Sequence, residues 1–271
     1  MVAKRAPALG RLRTMSMMSS EHEINSTRLL DELAKQLPDE SPLRIKSFNE
    51  THIECKPLGT GRFGDVFQYL NKQTNRFVAG KIVKMEMFNH YFQDWSKISL
   101  RVGVFLNELE ILHKVSCEHE RIANVTGIYS DYTQLIVFTE YLTNGSVKDI
   151  LKDDKGLSEK TSLKYFYQIC EALFYLHNQK IPIIHRDIKA TNVLVDSFDN
   201  IKIANFGMVR DLAIDGFGIA VASEITVDFR GTMLYVAPEV LTSDLGPGNR
   251  NAYGKAADLW ALGEILYLFI I

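Results

Sequence analysis

The sequence predicts an α+β fold with two lobes, the first small and rich in β-strands and the second mostly helical. Short runs of β-branched and aromatic residues, separated by turn residues, extend from Ile53 to Tyr141. After Gly145 the apolar residues recur at helical spacing. The 271 residues, 46% of them apolar and 24% charged, are sufficient for a sizeable core. We expect a ligand cleft between the two lobes.

The first lobe is expected to hold five strands and one helix. The strands are predicted at Ile53–Leu58, Asp65–Leu70, Phe77–Met85, Val125–Ser130 and Leu135–Tyr141, and the helix at Leu100–Val115. The aromatic stretch Met85–Gly103 is interpreted as an insertion before that helix. In the second lobe the main predicted helices are Glu159–Asn178 and Asp258–Ile271.

Ahead of the lobes, the chain is predicted to form a tail with one short helix. The first 20 residues are basic and free of acids, which is typical of a disordered tail or, alternatively, of a mitochondrial presequence. Residues 24–40 show helix-like spacing that ends at Pro38, and residues around 38–47 are expected to form a linker. The predicted boundaries are 1–50 for this region and 51–271 for the domain, with lobes at about 51–140 and 145–271.

Charge and cysteine content argue against several classes of partner. The net charge of −2 gives no reason to expect nucleic acid. Cys55, Cys117 and Cys170 are too widely spaced for a zinc site or a disulfide framework, which suits the reducing cytoplasm. The apolar stretch Leu259–Ile271 is shorter than the ~20 residues that span a bilayer, so we do not expect a membrane partner.

Three motifs indicate the chemistry of the cleft. They read Gly59-Thr60-Gly61-Arg62-Phe63-Gly64-Asp65-Val66, then Val78-Ala79-Gly80-Lys81, then His185-Arg186-Asp187-Ile188-Lys189-Ala190-Thr191-Asn192 with Asn205-Phe206-Gly207. Glycines let backbone N–H groups approach phosphate closely. A strand, not a helix, is predicted after the glycines, which disfavours a dinucleotide-binding fingerprint and leaves a phosphate loop or a simple glycine-rich hairpin.

Together these motifs resemble the phosphate, catalytic and magnesium loops of the protein kinase family. The resemblance covers roughly Ile53 to Ile271 and implies ATP and Mg²⁺ as ligands and a protein as substrate. It assigns the phosphates to Gly59, Gly61, Gly64 and Lys81. Glu108 is favoured as the helical partner of Lys81, with Glu110 as the competing choice. Gly80 stands where a branched residue is usual, and we expect it to weaken the strand slightly.

The same resemblance implies an adenine site and a catalytic loop. Thr139 would be the gatekeeper, backbone groups of Glu140 and Leu142 would bond the adenine edge, and Val66 and Ala79 would cover the ring; Leu194 is assigned to the same site. In the catalytic loop, Asp187 would orient or deprotonate the substrate hydroxyl and Lys189 would stabilise the transferring phosphoryl group. Asn192 and Asn205 would hold the metal.

Within the family, the sequence is most similar to the MAP kinase kinase kinases of the MEK-kinase-like group. The strings that carry this similarity are His119-Glu120-Arg121-Ile122, Glu140-Tyr141-Leu142, Gly145-Ser146-Val147-Lys148-Asp149 and the catalytic octapeptide. The similarity implies a MAP kinase kinase as protein substrate. Control by phosphorylation is expected at Thr226, then Ser223, whereas Thr232 is expected to contact the substrate or Asp187.

Two departures from the family pattern bear on activity. Protein kinases carry Asp where this chain has Asn205, and a neutral amide oxygen is a weaker magnesium ligand. The resemblance therefore leaves two functions open: a serine/threonine kinase with impaired catalysis, and an ATP-binding pseudokinase that acts as a scaffold or allosteric partner. The second departure is an incomplete helical lobe, which leads us to expect instability or chaperone association, in either a fragment or a shortened isoform.

Overall fold

The computed structural model of the protein describes residues 20–61, 64–83, 95–131, 134–153, 156–205, 235–242 and 254–270. The predicted α+β architecture is confirmed. The first lobe is an antiparallel sheet with the strand order β1-β2-β3-β5-β4. Its strands are β1 (His52–Gly61), β2 (Gly64–Asn71), β3 (Arg76–Val83), β4 (Val125–Ser130) and β5 (Leu135–Glu140). All five lie within a few residues of their predicted positions.

Among the described residues, three helices accompany this sheet. They are α1 (Ser20–Gln36), α2 (Phe48–Thr51) and α3 (Trp95–Glu118). The helix α3 begins five residues before the predicted start, so the interpretation of Met85–Gly103 as an insertion is wrong for Trp95–Gly103. The physical reason is that packing against α1 stabilises the first part of α3. Val102 is fully buried in the core that α3 and α1 share.

The predicted linker around residues 38–47 is also wrong in part. Leu43 is fully buried, and the backbone of Ile128 in β4 donates to the Leu43 carbonyl at 2.6 Å. The Ile45 N–H donates to the Ile128 carbonyl at 2.9 Å. These bonds satisfy backbone groups at the edge of the sheet, which an unstructured linker would leave exposed. The segment therefore belongs to the first lobe.

The second lobe is helical around a small two-stranded sheet. Its described elements are α4 (Val147–Ile150), α5 (Glu159–His177), β6 (Val193–Val195), β7 (Ile201–Ile203), α6 (Pro238–Thr242) and α7 (Lys255–Ile270). Ser158 caps α5 by accepting the Thr161 N–H, and the buried residues of α5 recur every three or four positions. That buried face packs on α7 and on β7. Within the described residues, no helix is both long and apolar enough to cross a membrane.

An aromatic cluster covers the face of the sheet that carries Gly80. The cluster contains Phe48, His52, Tyr69, Tyr129 and Phe138, with neighbouring ring centroids 4.5–5.7 Å apart. A Cβ atom at Gly80 would lie 2.6 Å from the Tyr69 ring and 2.7 Å from the Phe138 ring. Glycine at position 80 is therefore required by packing, which the expectation of a weakened strand did not foresee.

We expect Gly80→Ala to destabilise the protein. The replacement lowers the conformational entropy of the unfolded chain, which by itself favours folding, but the packing cost is larger. Overpacking of a filled core costs about 1–3 kcal/mol. Gly263→Ala is the matched control, because a Cβ there meets nothing within 4 Å and alanine favours the helix α7. Thermal unfolding of both variants is the measurement. A Gly80→Ala variant that melts as high as the Gly263→Ala variant would contradict this packing argument.

Candidate active site

The register of the sheet places the predicted nucleotide residues on one face. Lys81 is paired with Val66 of β2 on one side and with Val137 of β5 on the other, and Val66 is paired with Gly59 of β1. Because side chains alternate between the faces of a strand, Ala79 shares the face of Lys81, and its cross-strand partner Thr139 does the same. This face is opposite to the one that carries the aromatic cluster.

The glycine-rich loop connects β1 and β2. The structural reason for glycine differs between its positions. A Cβ at Gly64 would lie 2.0 Å from the Ile82 carbonyl oxygen, so packing against β3 excludes any side chain there. A Cβ at Gly59 would meet nothing within 4 Å, so packing within the protein does not require glycine at that position. Gly61 is paired with Gly64 at the end of the hairpin, and residues 62–63 lie outside the described residues.

The segment after β5 brings the predicted hinge residues onto the second lobe. Leu142 is buried with Ala123 and Ala204, and Leu194 packs against this group. The Glu140 N–H donates to the Asn124 carbonyl at 2.8 Å, so a backbone contact from Glu140 to an adenine would have to come from its carbonyl oxygen.

The side chain of Glu140 makes contacts of its own at the junction of the lobes. Its Oε1 accepts the Asn124 N–H at 2.7 Å and lies 2.7 Å from Lys202 Nζ on β7. The glutamate therefore links the end of β5 to the second lobe.

The catalytic loop rests on one buried carboxylate, that of Asp258 at the start of α7. Asp258 is 1% exposed. Its Oδ2 accepts the His185 N–H at 2.8 Å, and its Oδ1 accepts the Arg186 N–H at 2.9 Å. Oδ2 also lies 2.8 Å from Nε2 of His177, at the end of α5. Arg186 has a φ of 65°, and the carboxylate holds its N–H in this unfavourable conformation.

His185 is a neutral part of this support. It is fully buried, and burial lowers the pKa of its imidazole. Its Nδ1 accepts the Asp187 N–H at 3.3 Å, so the other nitrogen, Nε2, carries the proton and donates to the Ala204 carbonyl at 3.1 Å. The imidazole thereby connects the backbone of Asp187 to the residue that precedes Asn205.

The structure brings the four predicted polar residues of the catalytic and magnesium loops into one chain of contacts. Asp187 Oδ1 lies 3.0 Å from Lys189 Nζ. Asp187 Oδ2 accepts a hydrogen bond from Asn192 Nδ2 at 2.7 Å. The oxygen of the same Asn192 amide accepts a hydrogen bond from Asn205 Nδ2 at 3.1 Å. Asn205 holds this position with a φ of 57°, a conformation that asparagine tolerates better than most residues.

The contact between Asn192 and Asn205 decides how well a metal fits. Magnesium prefers carboxylate and phosphate oxygens in octahedral geometry. Here the Asn192 oxygen already accepts an N–H, and rotating the Asn205 amide would bring two oxygens together without a donor. In the described part of the chain, no group of three or more His, Cys, Asp or Glu side chains could hold a metal ion. The two amides fit each other better than they fit a divalent cation.

Lys81 interacts electrostatically with two charged residues of the catalytic loop, Asp187 and Lys189. Burial lowers the pKa of its ammonium group, while Asp187 raises it and Lys189 lowers it. A half-buried ammonium group beside Asp187, on this face of the sheet, is suited to an anion such as a polyphosphate. Of the two candidate glutamates on α3, Glu108 is half-buried and Glu110 is exposed. This difference supports Glu108, and its role as the partner of Lys81 stays a prediction.

Several residues of the site region were not predicted from the sequence. By resemblance, Asp258–Gly263 was expected to form the buried helix on which the catalytic loop rests, but the Asp258 carboxylate was not identified as the supporting group. The contact of His177 with that carboxylate was not predicted. A buried histidine in the last turn of an amphipathic helix was the available signal. The predicted control residues Ser223, Thr226 and Thr232, together with Phe206 and Gly207, lie outside the described residues.

Comparison with known proteins agrees with this geometry. Residues 53–271 match the family model of the protein kinase domain. The chain is 53% identical over 238 residues to serine/threonine-protein kinase flr-4 of Caenorhabditis elegans, covering 88% of this chain and 41% of that protein. It is 34% identical over 213 residues to mitogen-activated protein kinase kinase kinase 3 of Mus musculus, covering 77% and 30%. The chain thus spans 30–41% of the length of these relatives.

Proposed function

The chain belongs to the protein kinase family, and on that premise we propose that it binds ATP and transfers the γ-phosphoryl group to a serine or threonine hydroxyl of a protein, with a rate limited by Asn205. The observation that carries the proposal is the contact of Asp187 with both Lys189 and Asn192 on the rigid support of Asp258. Lys81 supports the phosphate site, because it is half-buried on the sheet face opposite the aromatic cluster and interacts electrostatically with Asp187.

The arrangement assigns a role to each side chain in the transfer. Lys189 and Asn192 hold the Asp187 carboxylate from two sides, so that it can orient the substrate hydroxyl and accept its proton. The hydroxyl oxygen forms a bond to the γ-phosphorus, and the bond from that phosphorus to the β,γ-bridging oxygen breaks. Lys189 and Lys81 would balance the negative charge of the phosphoryl oxygens. Preorganised charges of this kind supply most of the catalysis in such reactions.

The metal is where this chain departs from its family. Protein kinases use Mg²⁺ with ATP, and the ion neutralises charge that develops on the phosphates. Here Asn205 supplies an N–H donor to Asn192 where an aspartate would supply a carboxylate. We infer that magnesium is held weakly. Loss of one preorganised group at a transfer site costs about 10²–10³ in rate.

The same contact favours a second function, that of an ATP-binding pseudokinase that acts as a scaffold or allosteric partner. An amide pair that occupies the metal ligands leaves the glycine loop, Lys81 and the hinge intact, so nucleotide binding does not require the transfer step. The two functions differ in a measurable way, because only the first requires Asp187 to be chemically competent.

The substrate class is proposed from similarity alone. The catalytic loop carries Lys189, as serine/threonine kinases do, and one relative with 34% identity is a mitogen-activated protein kinase kinase kinase. On this basis we propose a MAP kinase kinase as the substrate. The substrate assignment is independent of the ATP site, so a different substrate would leave the proposal of ATP binding unchanged.

Nucleotide binding tests the proposed function first. We expect calorimetry to show ATP binding to the wild-type chain and at least about tenfold weaker binding for Lys81→Ala, a change of ~1.4 kcal/mol. Lys72→Ala, in the exposed turn between β2 and β3, is the matched control and should bind like the wild type. A folded wild-type chain that binds no ATP would contradict both functions.

Transfer from radiolabelled ATP then separates the two functions. Slow phosphorylation of a MAP kinase kinase or of the chain itself, abolished in Asp187→Asn, is the result expected of the kinase. Binding without any transfer would favour the pseudokinase.

A further inference from the structure

The helix α1 lies before the region that matches the protein kinase domain, yet it packs along α3. The matched region begins at residue 53, whereas α1 spans Ser20–Gln36. Four leucines on one side of α1 and its C-terminal end are 2–5% exposed, namely Leu29, Leu30, Leu33 and Leu37. They share one core with Val102, Phe105, Leu106 and Leu109 of α3. The helix is therefore an integral part of the first lobe.

Polar contacts determine how α1 sits on α3. Gln36 Nε2 donates to the Ser99 carbonyl at 2.9 Å, and Ser99 Oγ donates to Glu32 Oε1 at 2.7 Å. The hydrogen bond from Ser99 is the main reason why the pKa of Glu32 is lowered. A Cβ at Gly103 would lie 2.9 Å from Gln36 Oε1, so glycine permits this close approach. Directional bonds of this kind select one register between the two helices, which leucine packing alone does not.

The C-terminal end of α1 is held to the sheet. Arg44 Nη1 donates to the Ala34 and Leu37 carbonyls at the end of the helix, and it forms an ion pair with Asp39 at 3.2 Å. The next residue, Ile45, bonds to Ile128 on β4. Because α1 is attached to both α3 and β4, a shift of α3 relative to the sheet would have to break contacts at one end or the other.

The helix α3 carries Glu108 a few turns beyond these contacts. Ser99 and Glu108 are nine residues apart, about 14 Å along one continuous helix at 1.5 Å per residue. A helix moves as a rigid element, so a rotation or shift at Ser99 also displaces Glu108. We propose that α1 positions α3, and with it Glu108, for nucleotide binding by Lys81, and that Glu32, Gln36 and Ser99 are positioning residues. This inference rests on the proposed function.

A charge placed at the contact tests the inference. The carboxylate of Ser99→Asp would face that of Glu32, which lies 2.7 Å from the present hydroxyl, so α1 is expected to detach. ATP affinity measured by calorimetry should fall at least about fivefold, the lower end of typical coupling between sites. The double variant with Glu32→Lys should recover most of the loss, because the two charges then attract. Leu100→Asp is the matched control, since it adds the same charge at the next residue of α3, where the side chain is 70% exposed.

A second arm separates positioning from a general loss of stability. In a Glu108→Gln background, Ser99→Asp should cause no further loss of ATP affinity if α1 acts through Glu108. Gln36→Ala removes the hydrogen bonds of the Gln36 amide to Ser99 and Glu32 without adding a charge, and it should weaken binding in the same direction by a smaller factor. Hydrogen exchange in α3 reports detachment independently of nucleotide.

The outcomes distinguish this inference from the proposed function. Faster exchange in α3 with unchanged ATP affinity would overturn the positioning role and leave the proposed function standing. An equal loss of affinity in the Glu108→Gln background would also overturn it. A wild-type chain that binds no ATP would overturn the proposed function and the positioning role together.

Discussion

Asp258→Ala is expected to destabilise the protein by about 2–6 kcal/mol, because two buried backbone donors each lose their acceptor at a cost of about 1–3 kcal/mol. The Asp258 carboxylate is 1% exposed and accepts the backbone N–H groups of His185 and Arg186. Without it these donors lose their acceptor in a place that water reaches poorly. Since a domain is typically stable by only 5–15 kcal/mol, a large share of the total would be lost.

Chemical denaturation measures this loss, and two variants control for it. Asp258→Asn keeps the shape and one acceptor oxygen, so it should be destabilised less than Asp258→Ala. Lys255→Ala changes an exposed residue in the first turn of the same helix and should unfold like the wild type. If Asp258→Ala unfolded at the same denaturant concentration as Lys255→Ala, the carboxylate would not be the support of the catalytic loop.

Asn205→Asp is expected to raise phosphoryl transfer at least about tenfold, a barrier change of ~1.4 kcal/mol. The substitution removes the N–H that Asn205 donates to Asn192 and places a carboxylate opposite the Asn192 oxygen. Two acceptors facing each other favour a cation between them, and a carboxylate is the stronger magnesium ligand. Autophosphorylation with radiolabelled ATP is the measurement.

The control for this variant is a second asparagine-to-aspartate change far from the cleft. Asn178 lies exposed at the end of α5, and Asn178→Asp alters the net charge by the same amount. Its transfer rate should equal that of the wild type. An Asn205→Asp variant that is stable and binds ATP, yet transfers no faster, would show that Asn205 is not the limiting residue.

The sheet was predictable from sequence because its signals are local. Strands β4 and β5 show β-branched and aromatic runs between turn residues, and their predicted bounds agree with the structure to within one residue. The start of α3 and the path of residues 43–45 were not predictable in this way, because their contacts are long-range. Ser99 bonds to a residue 63 positions away, and no local pattern indicates such a partner.

The features of the candidate site also fall into those that the sequence predicted and those that depend on long-range contacts. The motifs predicted Asp187, Lys189, Asn192 and Asn205 as neighbours, and the structure places them in one chain of contacts. The direction of the Asn205 amide toward the Asn192 oxygen depends on three-dimensional geometry and did not follow from the substitution itself. The need for glycine at position 80 was hidden as well, because the rings that exclude a side chain come from strands β2 and β5.

Magnesium dependence of ATP affinity tests most directly the claim that an amide pair takes the place of the metal ligands. Calorimetry would compare wild type and Asn205→Asp, each with and without magnesium. We predict that magnesium changes the affinity of the wild type little and strengthens that of Asn205→Asp. A wild-type affinity that rises with magnesium as steeply as that of the variant would contradict the claim.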